Sequence, residues 1–161
     1  TGQWSEGRIE GQGRARMAEG LVYEGAFRAG QPNGEGRMEY PDGRIHTGTF
    51  VNGLREGQGV TIYPDATRYD GGFVGGEREG QGTITMADGF TYIGEWRAGQ
   101  IDGQGTATYA SGDVYEGQFT GGQRSGRGSL RYAAGQVVSG RWENGVLVEP
   151  DQPAPAVGGD G

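Results

Sequence analysis

Carboxylates recur in this chain at multiples of 23 residues, and they are the side chains whose spacing most readily suggests chemistry. One series is Glu10, Glu56, Glu79 and Asp102, and the other is Glu19, Asp42, Asp65 and Asp88. A row of carboxylates could form a ladder of calcium sites, because Ca²⁺ takes several oxygen ligands. Two carboxylates could also be the acid and base of a glycosidase.

Neither chemistry suits a repeated sequence. A glycosidase needs two carboxylates in different environments so that their pKa values separate, whereas a repeat gives every carboxylate the same surroundings. A calcium site needs several oxygens within one loop, and rows separated by two strands lie ~10 Å apart. We therefore expect both series to be solvated turn residues, because Asp is common in turns. The sequence predicts no metal and no cofactor.

Other catalytic residue types are scarce. His46 is the single histidine, and the chain has no cysteine and no lysine, since all 14 basic residues are arginine. These absences exclude thiolate and Schiff-base chemistry and the usual zinc ligand sets. The serines lie at polar or turn positions, without a nucleophile elbow or a matching base. The sequence therefore predicts a protein that is not an enzyme.

Net charge, apolar content and the length of apolar runs limit the class of partner, the type of core and the relation to a membrane. A net charge of −7 argues against nucleic acid, which normally meets a basic face. An apolar content of 32% is too low for a thick two-layer core, although it suffices for units that pack only on their neighbours. No apolar run reaches transmembrane length. The compartment stays open: cytoplasmic, periplasmic, secreted and peripheral membrane locations are all compatible with these residues.

One stretch, residues 23–45 (YEGAFRAGQPNGEGRMEYPDGRI), organises the whole chain. Counting it as positions 1 to 23 places the rest of the sequence in the same register from Gly2 to Gly145. Position 1 is Tyr23, His46, Tyr69, Tyr92, Tyr115 and Val138; position 5 is Trp4, Phe27, Phe50, Phe73, Trp96, Phe119 and Trp142. Position 3 is glycine throughout. Such periodicity is typical of a repeat architecture.

Each repeat predicts a β-hairpin. Positions 1–7 alternate between aromatic or glycine and polar residues, which is the pattern of a half-buried strand. We expect a turn at positions 8–11, a second strand at 12–18, and a reverse turn at motifs such as Pro41-Asp42-Gly43. The predicted fold is all-β: an elongated single-layer antiparallel sheet of consecutive hairpins, one per 23-residue repeat.

Glycines at positions 3, 12 and 14 lie inside the predicted strands, where glycine normally weakens pairing. Their regular recurrence predicts that an aromatic ring covers the backbone at each of these positions. The rings of positions 1, 5 and 18 then form three rows along one face, stacked by aromatic contacts.

These residues resemble the MORN repeat (membrane occupation and recognition nexus). The resemblance rests on Tyr-Glu-Gly-x-Phe at 23–27 and 115–119, Asn-Gly-x-x-x-Gly-x-Gly at 52–59, and Tyr-x-Asp-Gly at 40–43. The departures are His46 and Val138 at position 1, Met17 and Met86 at position 18, and Ala66 in a turn. Choline-binding repeats are also aromatic hairpins, but they lack the glycine pattern of the second half.

The repeats suggest two parts of the chain. Residues 1–148 form the repeat domain, with about six full repeats and a C-terminal half repeat that acts as a cap, ending in a closing strand at 146–148. Residues 149–161 are rich in Pro, Ala and Gly and are predicted to be a disordered tail or a linker.

Two surfaces are candidates for binding, because a one-layer sheet cannot bury its own face completely. The first is an aromatic groove, with candidates Tyr23, Phe27, Tyr40, Phe50, Tyr63, Tyr69, Phe73, Tyr92, Trp96, Tyr109, Tyr115, Phe119 and Tyr132. The second is an apolar patch on the opposite face: Val51, Val60, Ile62 and Val74. The exposed first and last strands offer end-to-end pairing as a third route.

We therefore expect a non-catalytic scaffold or adaptor that binds a protein partner, or a second copy of itself as a homodimer or end to end. The alternative, which the name of the resembled family suggests, is peripheral binding to phospholipid headgroups. That alternative needs a basic field near the membrane, and the net charge disfavours it. The ring rows also permit carbohydrate stacking, although nothing in the sequence signals it.

Overall fold

The computed structural model describes residues 2–5 and 8–151. Over these residues the chain is one open antiparallel sheet of fourteen strands, each paired with the next in chain order. The strands are β1 Gly2–Ser5, β2 Arg8–Arg16, β3 Val22–Arg28, β4 Gln31–Glu39, β5 Ile45–Val51, β6 Leu54–Ile62, β7 Arg68–Val74, β8 Glu77–Thr85, β9 Thr91–Arg97, β10 Gln100–Thr108, β11 Val114–Thr120, β12 Gln123–Arg131, β13 Val137–Glu143 and β14 Val146–Pro150. A short 3₁₀ turn, Ala18–Gly20, joins β2 to β3. The predicted all-β fold of consecutive hairpins is confirmed.

The turn within each hairpin is tighter than predicted. It contains two residues, such as Ala29 and Gly30, whose φ angles are 53° and 80°. Positive φ at both central residues is the geometry that joins twisted strands with least distortion, and glycine adopts it readily. The predicted turn at positions 8–11 is therefore wrong in length, because Gln31 and Pro32 already pair with Arg28 and Phe27.

The extra residues of the predicted turn form a bulge in the second strand. Phe27 pairs with Pro32 and Gly25 pairs with Gly36, so Ala26 faces the three residues 33–35. The glycine at position 12 lies in this bulge, and Gly34 has a φ of 102°. No ring covers it, since a Cβ there would instead contact Ala26 at 3.0 Å. The prediction that a ring covers position 12 is wrong: the bulge conformation, rather than a ring, requires glycine there.

The prediction of a covering ring holds at position 14, whereas at position 3 the facing backbone comes closer than the ring. Gly36 pairs with Gly25 on one side and with Gly48 on the other, so a row of glycines crosses the sheet. A Cβ on Gly36 would lie 2.5 Å from Cε1 of Tyr23. A Cβ on Gly25 would lie even closer to Cα of Gly36, and 2.8 Å from the Tyr23 hydroxyl oxygen. The ring of Tyr23 therefore needs the bare backbone beneath it.

The core is a line of interlocked rings along one face. Tyr23 meets Phe27 of its own repeat at a centroid distance of 5.0 Å and Phe50 of the next repeat at 5.1 Å, both edge to face. This geometry suits the quadrupoles of aromatic rings. Two of the three predicted rows, positions 1 and 5, are buried, whereas position 18 lies at the rim.

The sheet ends in a strand that carries acidic residues where the repeat has glycine. Strand β14 extends to Pro150, two residues beyond the predicted boundary at Val148. Glu149 accepts a hydrogen bond from Nε of Arg141 at 2.9 Å, and Asp151 contacts Arg127 at 2.5 Å. Most of the predicted tail, residues 152–161, lies outside the described residues, as does the side chain of Trp4.

Candidate functional site

The first acidic series joins successive repeats. Oε2 of Glu10 accepts a hydrogen bond from the backbone N–H of Ala29 at 2.6 Å, and Oε1 of Glu79 accepts one from Ala98 at 2.9 Å. Glu56 and Asp102 make the same contact to Gly75 and Gly121. Each acceptor thus satisfies the turn of the repeat that follows. The sequence predicted turn residues but missed this bond between repeats, since the two groups lie 19 residues apart.

Three members of the second acidic series close their own turns, as predicted. Oδ1 of Asp42, Asp65 and Asp88 accepts the N–H two residues later at 2.9–3.0 Å. These backbone hydrogen bonds hold the pKa of Asp42 and of Asp65 below its usual range. Across residues 2–5 and 8–151, no three His, Cys, Asp or Glu side chains come together as metal ligands would.

His46 occupies the aromatic row, as predicted. It is fully buried, and its ring stands edge-on to Phe50 at 5.3 Å and to Phe73 at 4.7 Å. Its Nδ1 lies 2.7 Å from Oγ1 of Thr61, while Nε2 is buried without a hydrogen-bond partner in the protein. Burial, and then the nearby charge of Arg55, lowers the pKa of His46 to about 4. The imidazole is therefore neutral at physiological pH.

Most of the rings predicted to line a groove lie inside the core instead. Nine of the thirteen are buried: Tyr23, Phe27, Phe50, Tyr69, Phe73, Tyr92, Trp96, Tyr115 and Phe119. The tyrosine hydroxyls donate to nearby carbonyls, as from Tyr69 to Gly72 at 2.9 Å, and burial raises the pKa of Tyr69 to about 12. The half-buried Tyr40, Tyr63 and Tyr109 and the exposed Tyr132 offer the ring surface that remains accessible.

Tyr63 separates two recesses on the aromatic face. The first, the apolar recess, has a volume of about 480 Å³ and is lined by Tyr63, Pro64, Asp65, Thr67, Arg78, Ile84 and Met86. The second, the arginine recess, has a volume of about 340 Å³ and is lined by Arg44, Arg55, Tyr63, Phe73, Gly76, Glu77, Arg78 and Gly99. Tyr63 and Arg78 border both recesses, so the two together form one groove across neighbouring repeats.

Arginines at position 10 cover the rings of the following repeat. Nη2 of Arg55 donates to the carbonyl of Gly76 at 2.6 Å, and its guanidinium carbon lies 4.9 Å from the Phe73 ring centroid. Arg78 makes the same contacts with Gly99 and Trp96, and Arg124 makes them with Gly145 and Trp142. We call Arg55, Arg78 and Arg124 the inter-repeat arginines. Sequence reasoning missed this role, although arginine at position 10 in three repeats was the available signal.

The predicted apolar patch lies on the opposite face, in two groups. Val51, Ile62 and Val74 are 46%, 43% and 60% exposed, and Val60 is half-buried. The register separates them, because Val60 and Ile62 pair with Thr47 and Ile45 near one end of the strands, whereas Val51 pairs with Leu54 beside the hairpin turn. Leu54 is 51% exposed and extends the second group, a contribution that the sequence reasoning did not include.

The repeat pattern and its hairpins match a known family. The model of the MORN repeat matches residues 1–22, 23–43, 46–68, 69–91, 92–114 and 115–137. The chain belongs to the MORN-repeat family. In this MORN-repeat chain the matched segments follow the 23-residue phase of the hairpins.

Comparison with solved structures finds, among its matches, the TCP domain of SAS-4 (dCPAP) from Drosophila melanogaster, in complex with a proline-rich motif of Ana2 (dSTIL). That domain is 17% identical over 80% of this chain and 77% of its own, with a TM-score of 0.45. The TCP10 domain of Danio rerio CPAP, in complex with a peptide of STIL, is 14% identical over 80% of this chain and 62% of its own, with a TM-score of 0.31. Comparison with curated protein sequences finds no match.

None of the helical residues that the structure describes forms a segment long and apolar enough to cross a bilayer.

Proposed function

We propose that this MORN-repeat protein is a non-catalytic scaffold that binds a protein partner on its aromatic face, at a site centred on Tyr63. The observation that carries the proposal is the groove formed by the apolar and arginine recesses, which Tyr63 divides. Concave sites that combine apolar walls with a few fixed polar groups are typical of ligand and peptide recognition. Tyrosine and arginine are also the residues that contribute most at protein interfaces.

The titratable groups support a binding role over a catalytic one. The buried tyrosines are held neutral by burial. His46 and Thr61 lie 2.7 Å apart, but both side chains are fully buried, so a substrate could not reach this pair. Seven of the eight carboxylates in the two series accept backbone hydrogen bonds at turns. A nucleophile and its general base must also contact the substrate.

Selection from a random twelve-residue peptide library displayed on phage tests this site. We expect enriched peptides whose binding is lost in Tyr63→Ser and kept in Tyr109→Ser. Tyr109 is the matched control, because it occupies the same repeat position as Tyr63 but lines neither recess. Enriched peptides that bind both variants equally, or no enrichment at all, would refute the proposed site.

Phospholipid binding is the alternative, and the arginine recess is the observation that favours it, since Arg44, Arg55 and Arg78 line it together. Flotation with vesicles of phosphatidylcholine alone, or with phosphatidylserine added, compares the two functions. Salt-sensitive binding to the anionic vesicles alone would favour the lipid function.

The opposite face is a second contact surface within the scaffold proposal. Val51, Leu54 and Val74 present exposed apolar side chains near the hairpin turns of neighbouring repeats. Self-association there would form a homodimer. Sedimentation velocity of the unmodified chain and of Val74→Ser measures it, and a dimer that persists in the variant would rule this surface out.

A further inference from the structure

We propose that the groove at Tyr63 recognises an acidic-apolar peptide motif: a large apolar side chain with a carboxylate within about three residues of it. This inference rests on the proposed function and names the chemistry of its partner. The apolar side chain enters the apolar recess, and the carboxylate meets the guanidinium groups of the arginine recess.

The apolar recess fits a hydrocarbon side chain. Its walls include Ile84 and Met86 together with the rings of Tyr63 and Pro64. Ile84 is buried and Tyr63 packs against the same core, so these walls are held in place by the sheet. Met86 is 39% exposed and gives the recess an adaptable wall, because an unbranched thioether fits varied shapes.

The arginine recess fits a carboxylate. Three guanidinium groups line it, from Arg44, Arg55 and Arg78, against the carboxylate of Glu77. Arg44 is also paired with Asp42 at 2.9 Å, so the guanidinium groups exceed these two carboxylates by one. This local excess of positive charge is notable in a chain whose net charge is −7. Arginine binds carboxylates with two parallel N–H donors, which gives both strength and orientation.

These arginines are oriented before any ligand arrives. Nη2 of Arg78 donates to Gly99 at 3.0 Å, and its guanidinium carbon lies 4.7 Å from the Trp96 ring centroid. This hydrogen bond uses one of the five N–H donors of a guanidinium. Arg44 stacks on Tyr40, with its guanidinium carbon 4.5 Å from the ring centroid. Preorganisation of this kind lowers the entropy lost on binding.

The short spacing of the motif follows from the shared wall. One tyrosine ring and one arginine separate the two recesses, since Tyr63 and Arg78 line both. An extended peptide advances ~3.3 Å per residue, so two side chains one to three residues apart span such a wall.

A peptide fits this charge pattern better than an anionic membrane does. The carboxylates of Asp65 and Glu77 border the same recesses, and a membrane surface would meet them along with the arginines. A single carboxylate on a peptide reaches the guanidinium groups without approaching the rest of the acidic surface.

The test sequences the peptides enriched from the random twelve-residue library and measures the affinities of synthetic copies. We expect Asp or Glu within three residues of Leu, Ile, Met, Phe or Trp to be enriched over the unselected library. Replacing that Asp or Glu with its amide should weaken binding about tenfold, as expected for a charge-assisted hydrogen bond. Arg78→Gln should weaken binding by a similar factor.

Arg124→Gln is the matched control. Arg124 makes the equivalent contacts to Gly145 and Trp142, but it lies outside both recesses. Its replacement should therefore change stability as much as Arg78→Gln does, and should leave peptide affinity within about twofold. Arg44→Gln is a second variant, whose described side-chain contacts are the exposed pair with Asp42 and the stack on Tyr40. We expect it to weaken binding as Arg78→Gln does.

The outcomes distinguish this inference from the proposed function. Peptides that need Tyr63 but lack an acidic residue would overturn the inference and leave the groove as a binding site. Equal affinities for the Arg78→Gln and Arg124→Gln variants would overturn it too. Failure to enrich any peptide that depends on Tyr63 would remove the proposed site and the inference together. Binding to phosphatidylserine vesicles that Arg78→Gln abolishes would assign the arginines to lipid and contradict the inference.

Discussion

The ring of Tyr69 lies directly against the backbone of Gly82. Tyr69 is in β7 and Gly82 is in β8, the two paired strands of one hairpin. A Cβ built on Gly82 would lie 2.6 Å from both Cε1 and Cζ of that ring. The hydroxyl of Tyr69 also donates to Gly72 at 2.9 Å, so the ring cannot move away without losing a buried hydrogen bond. Position 82 requires glycine, because any Cβ there would overlap the ring of Tyr69.

Replacement of Gly82 with alanine should therefore destabilise the sheet strongly. We expect Gly82→Ala to lower the free energy of unfolding by about 3 kcal/mol or more, because the ring must shift or the strands must separate. Gly80→Ala in the same strand is the control, since a Cβ there has no neighbour within 4 Å and is penalised only by the φ of 80°. That strain costs about 1–2 kcal/mol. Urea denaturation of the two variants measures the difference, and equal losses would contradict the role of the ring.

Because the pKa of His46 is lowered by burial, we expect the folded chain to lose stability in mild acid. Its pKa is about 4 in the folded chain against 6.5 when unperturbed, so between these values the unfolded chain binds a proton that the folded chain does not. The contribution of His46 to stability is complete above pH 6.5 and falls as the pH drops towards 4, by up to about 3 kcal/mol. Urea denaturation at pH 7.5, 5.5 and 4.5 measures this decline.

The double variant His46→Tyr with Thr61→Ala is the comparison for that decline. It restores residue types that other repeats carry at these paired positions, such as Tyr92 opposite Ala107. We expect its stability to change less between pH 7.5 and 4.5 than that of the unmodified chain. An equal decline in both would assign the acid sensitivity to the carboxylates instead.

We expect the contact of Glu79 with the next repeat to stabilise the fold. Its Oε1 accepts the backbone N–H of Ala98, which lies in the next hairpin turn with a φ of 49°. Glu79→Ala should lower the free energy of unfolding by about 1 kcal/mol, because the turn loses its acceptor. Glu79→Gln should recover most of the loss, since an amide oxygen also accepts. Glu77→Ala, two residues away on the same strand, should have a smaller effect in the same thermal or urea melt.

Because Pro150 lies in β14, we expect the free edge of that strand to pair poorly with a strand of another molecule. The N–H of Asp151 donates inward to Ser139 at 2.8 Å, so the backbone nitrogen of the preceding residue faces outward, and proline has no hydrogen to offer there. Pro150→Thr should increase end-to-end self-association as protein concentration rises. Sedimentation velocity compares it with Pro41→Thr, a change in an exposed turn. An unchanged mass in both variants would show that other features protect this edge.

The sequence by itself determined the repeat unit, the strand order and the location of the core. Glycine at position 14 and tyrosine at position 1 recur in one phase, and a ring over bare backbone explains their pairing, as at Gly36 and Tyr23. Local alternation and turn composition then lead to hairpins, because a strand must expose one face and bury the other. His46 could be assigned to the ring row because it occupies position 1, where most other repeats carry tyrosine.

Tertiary structure alone decided which side chains are accessible and which repeats they join. The two-residue turn had a local signal, because positions 7 and 8 include pairs such as Asn52-Gly53. The bulge that follows it, opposite Ala26, depends on how the two strands pair. Contacts such as Arg78 with Gly99 and Glu79 with Ala98 connect residues about 20 positions apart, so their existence depends on how one hairpin packs on the next. Interlocking of the rings buries Tyr69 and leaves Tyr63 at the rim, and that difference in burial, invisible in the sequence, places the groove.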